Sequence, residues 1–212
     1  MLVAGKTPSK IEQVVQSLEQ TGGRATAAAT DATREEDVAA LFDRAMDGGN
    51  PADLVVHNAG NNRKIDFREV SAAVFEDFWR VGCFGGFLVG REEARRLVPL
   101  GRGTMIFTGA SASLRGRPGF AHFAAAKAGL RAISQSMARE YGPKGVHVAH
   151  VVIDGAIDGA RIRTRLPNVV QERGPDGLLS IDGIAEMYWQ IHRQPRAAWT
   201  QEMDLRPYKE TF

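Results

Sequence analysis

The sequence predicts an α/β protein built on a doubly wound parallel sheet, and three observations carry that expectation. Short apolar runs alternate with longer stretches whose apolar positions recur at helical spacing. The run from Val146 to Ile153 is apolar almost throughout, as a strand covered on both faces requires. A further apolar run, Thr104-Met-Ile-Phe-Thr108, ends in the small-residue turn Gly109-Ala-Ser111-Ala-Ser113 and leads into a helix carrying Phe123 and Lys127. Residues four apart on a helix share a face, so these two side chains are expected to point together beyond the strand end.

Taken in order, Met1–Ala4 reads as a short buried strand. Thr7 is placed to cap a helix with Pro8 in its first position; Ile11, Val14, Val15 and Leu18 make one apolar face, and Gly22-Gly23 stops it. Ala25–Thr30 is a second strand. Thr33 and Glu36 have capping-box spacing ahead of Val38, Leu41, Phe42 and Met46, and Gly48-Gly49 ends that helix. Leu54–His57 is a third strand, leading into Asn58-Ala59-Gly60. A long helix from Ser71 to Val98 carries Phe75, Phe78, Val81 and Leu88 and stops before Pro99. Met105–Thr108 is the fourth strand, the Phe123/Lys127 helix runs to Tyr141, and Val146–Ile153 is the fifth. After an Arg-rich stretch, Ser180–Gln194 is a helix with Ile184, Tyr188 and Ile191 on one face, and Ala198–Leu205 is the last strand. Parallel strands joined this way call for right-handed crossovers.

Composition bounds the function. The 212 residues make one domain, 1–212, with 43% apolar and 25% charged residues, ordinary for a globular protein. Net charge is +2 with dispersed basic residues. The pairs and triplets Arg115/Arg117 and Arg161/Arg163/Arg165 read as solvated loops, not a nucleic-acid footprint. Cys83 is the single cysteine, so no internal disulfide can form; it reads as buried packing in a reducing compartment. No signal peptide and no apolar span of about eighteen residues appears, so a cytoplasmic protein without membrane partners is expected. No His, Cys and Asp cluster has metal-ligand spacing.

The local patterns resemble those of the short-chain dehydrogenases/reductases, nicotinamide enzymes on a Rossmann-like sheet. Their Tyr-x-x-x-Lys is similar to Phe123-x-x-x-Lys127, their Asn-Ala-Gly to Asn58-Ala59-Gly60, and their strand-end serine falls within Gly109–Ser113. The resemblance spans nearly the whole chain but lacks the family's opening strand and Gly-rich turn, where backbone N–H groups meet the cofactor pyrophosphate. Three explanations stay open: the natural protein is longer, the gap is filled by a shifted strand or another subunit, or the first segment is a different strand. Buried strand edges without partners would be costly.

The resemblance implies a cofactor site at Lys6, Asp31, Ala32, Asn58, Ala59, Gly60, Lys127, Gly155 and Ile157. A cation at Lys6 suits the 2′-phosphate of NADP over the free hydroxyl of NAD. Asp31 matches an adenine-contacting aspartate, and Asp154-Gly155 with Gly159 replace the family's Pro-Gly and threonine near the nicotinamide. The implied catalytic set is Lys127, Ser111 and Phe123. In the family a tyrosine exchanges the proton, a lysine lowers its pKa, a serine orients the carbonyl and an asparagine anchors a water relay. Here Phe123 has no proton to give, the serine position falls on Ala110 with Ser111 and Ser113 displaced, and the asparagine position falls on Gly82.

Hydride transfer between NADP(H) and an unknown alcohol or carbonyl is therefore expected to be weak or lost. Alternatives are a catalytically silent relative acting as a binding or scaffolding subunit, and an elimination or isomerisation using Lys127 as a lone base. His122 is expected at the surface, His57 as a satisfied strand-end residue, and Tyr141 and Tyr188 as helix packing. The resemblance further implies a homodimer or homotetramer through the two long helices, with a small-molecule substrate.

Overall fold

A computed structural model describes residues 1–47 and 51–211; the helix end expected at Gly48-Gly49 lies outside them. The described chain runs β1 (Leu2–Gly5), α1 (Pro8–Gln20), β2 (Thr26–Ala29), α2 (Glu35–Met46), β3 (Leu54–His57), α3 (Ala72–Trp79), a π-turn (Arg80–Phe84), α4 (Gly85–Leu97), β4 (Thr104–Thr108), α5 (Ala121–Tyr141), β5 (His147–Ile153), α6 (Ala160–Arg165), α7 (Pro167–Arg173), α8 (Ile181–His192) and β6 (Glu202–Leu205). Every ladder is parallel. The strands form two separate sheets, β1–β2 and β3–β4–β5–β6, with no ladder joining them among the described residues.

Alternation sorts the core into two layers. Met105 and Phe107 of β4 and Val148 of β5 pack with Val38 and Phe42 of α2, Leu88 and Leu97 of α4, and Leu130 and Met137 of α5. The intervening residues, Ile106, Ala149, Val151 and Ile153, turn the other way and are covered by Ile184, Tyr188 and Ile191 of α8. Since α4 and α5 lie on one face and α8 on the other, while the strands step across in one direction, the β5–β6 crossover is opposite in hand to the two before it. The expectation of uniformly right-handed crossovers fails there, because Ile184, Tyr188 and Ile191 find their apolar partners only on the far face.

Cover on the α8 face stops short of the sheet edge. Ile106 is fully buried, yet its register partner Val56 on β3 is 41% exposed. Likewise Val14, expected on the apolar face of α1, is 47% exposed, and only Ile11 of that face is buried.

The long helix expected from Ser71 to Val98 forms, with a π-turn inside it at Arg80–Phe84. Ser71 caps it by accepting from the Val74 amide. Its glycines are packing residues. Methyl groups at Gly82, Gly86 and Gly90 would collide with Ala126, Leu130 and Met137, so α4 and α5 approach along this stripe. The capping box expected at Thr33 and Glu36 is not made. Arg34 occupies the cap position, and the Thr33 hydroxyl instead donates to Asp31 at 2.7 Å, because the tight turn at 31–34 brings that carboxylate nearer. Thr7 caps α1 through its carbonyl, its side chain taking no part.

Candidate functional site

A cleft of about 890 Å³ opens beyond the carboxyl ends of β3, β4 and β5, where open parallel sheets bind ligands. Asn58, Gly60, Ser111, Phe123, Lys127, Gly155 and Ile157 all line it. Phe123 and Lys127 thus share one cavity, as their spacing on α5 requires. Lys6, Asp31, Ala32 and Ala59 are not among the lining residues.

Lys127 is 6% exposed, and its Nζ donates to the Thr108 carbonyl at 2.7 Å. Burial lowers its pKa from 10.5 to about 8, because a low-dielectric surrounding disfavours the ammonium. An ammonium has three donors, so two remain beyond the Thr108 bond. Gly60 lies alongside: a methyl there would sit 3.6 Å from Nζ. The Thr108 hydroxyl is hydrogen-bonded to the Tyr188 hydroxyl at 2.8 Å, so Tyr188 does more than pack α8.

Ser111 also lines the cleft. Asp154, fully buried at the end of β5, accepts two hydrogen bonds from Arg115, at 3.0 and 3.2 Å. Burial raises the Asp154 pKa, but those bonds and the charges of Arg115 and Arg206 outweigh it and hold the carboxyl below its ordinary range. Ala110, in extended backbone, lines the cleft where the strand-end serine was expected. Gly82 is buried within the π-turn, a helix irregularity that recurs near functional sites.

The first-sheet residues form a separate group. Lys6 and Asp31 pair at 2.8 Å, and the Lys6 hydrogen bond, against a burial cost, lowers the Asp31 pKa to about 2. The Ala32 carbonyl packs against the start of α4 at Gly85.

Three expectations are corrected. His122 is fully buried, its Nε2 3.0 Å from the Arg63 carbonyl and its ring edge-on to Phe78; it lies on the side of α5 turned to α3, which an isolated helix does not reveal. His57 is not satisfied: its buried Nε2 has no partner, and burial, then the Lys127 charge, lower its pKa to about 4. Arg115 is no solvated loop residue but the partner of Asp154, and Arg117, Arg161 and Arg165 line the cleft. Their recurrence as a basic pattern was the available signal, but it does not say where they converge. No group of metal-ligating side chains occurs among the described residues, and none of the described helices is long and apolar enough to cross a membrane.

Comparison with known proteins places these features in context. A family model described as short chain dehydrogenase matches residues 1–166. A gluconate 5-dehydrogenase from Gluconobacter oxydans (strain 621H) is 26% identical over 151 residues, covering 70% of this chain and 58% of that enzyme. A crystal structure of a short-chain dehydrogenase from Rhodopseudomonas palustris is similar at 39% identity, with a TM-score of 0.80 over 98% of this chain and 86% of that one. The fold is shared also by a gluconate 5-dehydrogenase from Burkholderia cenocepacia J2315 in complex with NADP and tartrate, at 20% identity, TM-score 0.80, and 97% and 83% coverage.

Proposed function

Because the chain belongs to the short-chain dehydrogenase family, we propose that its cleft serves hydride exchange between NADP(H) and a small alcohol or carbonyl compound, with a proton step that Phe123 leaves slow. The observation that carries this reading is the buried Lys127 ammonium in one cavity with Phe123 and beside Gly60. The nicotinamide, when bound, supplies or accepts the hydride.

The chain's own residues fit that group at its nicotinamide–ribose end. Lys127 keeps two donors for ribose hydroxyls, the Asn58-Ala59-Gly60 turn borders the same space, and Gly155 and Ile157 form the opposite wall. At the adenosine end, Lys6 is an exposed cation that suits a 2′-phosphate, with Asp31 beneath it. During reduction an oxyanion develops on the substrate. The Lys127 charge stabilises it, but Phe123 cannot protonate it. A positioned acid–base group is worth about 10²–10⁴ in rate, so slow turnover is expected. The gluconate 5-dehydrogenase relative supports a polyhydroxylated substrate.

A second reading, a silent relative acting as a binding subunit, is favoured by Phe123, Ala110 and Gly82 together. Either reading includes a homo-oligomer in the cytoplasm. Phe75, Trp79 and Phe87 are each about two-fifths exposed on α3, α4 and their junction, where a second copy would cover them.

Calorimetric titration with NADPH, repeated with NADH, tests the reading. Saturable micromolar binding, tighter for NADPH and weakened at least about tenfold by Lys127→Met in a variant with an unchanged far-UV spectrum, is the expected result. Absence of saturable binding by either nucleotide would overturn it in favour of the silent subunit.

A further inference from the structure

The cleft carries far more positive charge than its own carboxylates offset. Eight of its lining residues are lysine or arginine and only two, Asp154 and Glu210, are acidic. Both acids are already paired, Asp154 with Arg115 at 3.0 Å and Glu210 with Arg173 at 3.0 Å. That leaves Lys127 and five further cations, Arg63, Lys64, Arg117, Arg161 and Arg165, with no carboxylate partner among the described residues. The five come from three separate segments: the loop after β3, the loop before α5, and α6. Arg161 ties two of these walls together by donating to the Asn62 carbonyl at 3.0 Å.

Converging like charges repel, and a cleft with low-dielectric walls focuses their field. Burial does not explain these residues, since all five are exposed at the cleft surface. The apolar residues Phe120, Phe123, Ile162 and Leu166 share the lining with these cations. Arginine favours planar, two-point recognition of carboxylate and phosphate.

We infer that the substrate of this cleft is a small anion, a hydroxylated or keto compound whose carboxylate or phosphate is held by Arg161 and Arg165 while its reacting carbon faces Lys127. This rests on the hydride-transfer reading for the reacting carbon but not for the anion. The charged group lies on the α6 side, away from Lys6 and Asp31, so the substrate and the adenosine end of the cofactor are held by different cations.

The experiment is calorimetric titration of the full chain with three matched polyols: gluconate, sorbitol 6-phosphate and neutral sorbitol, each with and without saturating NADPH. At least one anion is expected to bind, at least about tenfold tighter than sorbitol, and the stronger of the two identifies the charged group. Raising the salt concentration weakens it, and Arg161→Gln with Arg165→Gln weakens it about tenfold or more. Sorbitol binding as tightly as both anions, or no binding of either anion while NADPH binds, would overturn the anionic substrate and leave the hydride-transfer reading standing. Anion binding without NADPH binding would do the reverse. If the double variant loses NADPH affinity and keeps the anion, those arginines serve the cofactor and the inference falls; if nothing binds, both fall.

Discussion

Phe123→Tyr should raise NADP-dependent turnover by about 10²-fold, the value of restoring one positioned proton donor. The substitution adds a hydroxyl to a ring already in the cleft with Lys127, so it need not repack α5. The neighbouring ammonium would lower the pKa of the introduced phenol. Because burial sets the Lys127 pKa at about 8, the gain should fade above that pH as the ammonium is lost. Ala110→Ser is the natural second change, since Ala110 lines the cleft at the position expected of the family's serine. Restoring a larger side chain at Gly82 is the wrong choice: its Cβ would already stand 3.0 Å from that of Ala126, forcing α4 and α5 apart. The measurement is NADPH formation from a panel of polyols, aldonates and sugar phosphates. Turnover in the double variant that stays at the parent's background, in protein shown to bind NADPH, would sink the idea of a pocket lacking only its acid.

Replacing Glu93 should stabilise the protein, increasingly so as pH rises. Glu93 on α4 is fully buried and neither carboxylate oxygen has a hydrogen-bond partner. Burial raises its pKa from 4.5 to about 8, and its charge is felt by Tyr141 at the end of α5. The folded state therefore keeps a proton that the unfolded chain releases. For such a group, stability is whole below the unfolded pKa and is lost as pH climbs through the window from about 4.5 to about 8. One pKa unit corresponds to about 1.4 kcal/mol, so by pH 7 the cost is on the order of 3 kcal/mol. Glu93→Leu should recover much of that at pH 7.5 and little at pH 5; Glu93→Gln, which never ionises, should share the pH trend with a smaller gain. Urea denaturation of each variant against the parent at both pH values isolates this group, because His57 and His150, with pKa values lowered to about 4, titrate equally in all three proteins. A parent-to-Leu difference independent of pH would refute the argument.

Most strands and helices were legible because each rests on local periodicity. The apolar run in Thr104–Thr108 and the three-to-four spacing along α5 survive folding unchanged, and the shared cavity of Phe123 and Lys127 follows from that spacing alone. What failed was decided by residues distant in the chain. His122 is buried because α3 crosses that side of α5, and Thr33 is drawn to Asp31 instead of capping α2. The positive cleft was the largest omission. Arg63, Arg117 and Arg165 are about fifty residues apart in the sequence, and only the return of two loops and α6 to one sheet end makes them neighbours. Basic residues look like solvated surface until their convergence is seen.

The division of the strands into two ladders has a dynamic consequence. β1, α1 and β2 pack on one another, and among the described residues no strand pairing ties them to β3. Their attachment runs through α2, pinned to α4 by Arg91 on Glu35 and Arg96 on Asp43, with Arg80 reaching the Thr33 carbonyl. Cooperative units with few shared apolar contacts open independently. Deuterium should accordingly enter the amides of β1 and β2 well before those of β4 and β5, and uniform protection across all six strands would contradict this. Lys6 and Asp31 ride on the looser module while Lys127 sits on the firmer one, so a nucleotide spanning both would act as a clasp between them.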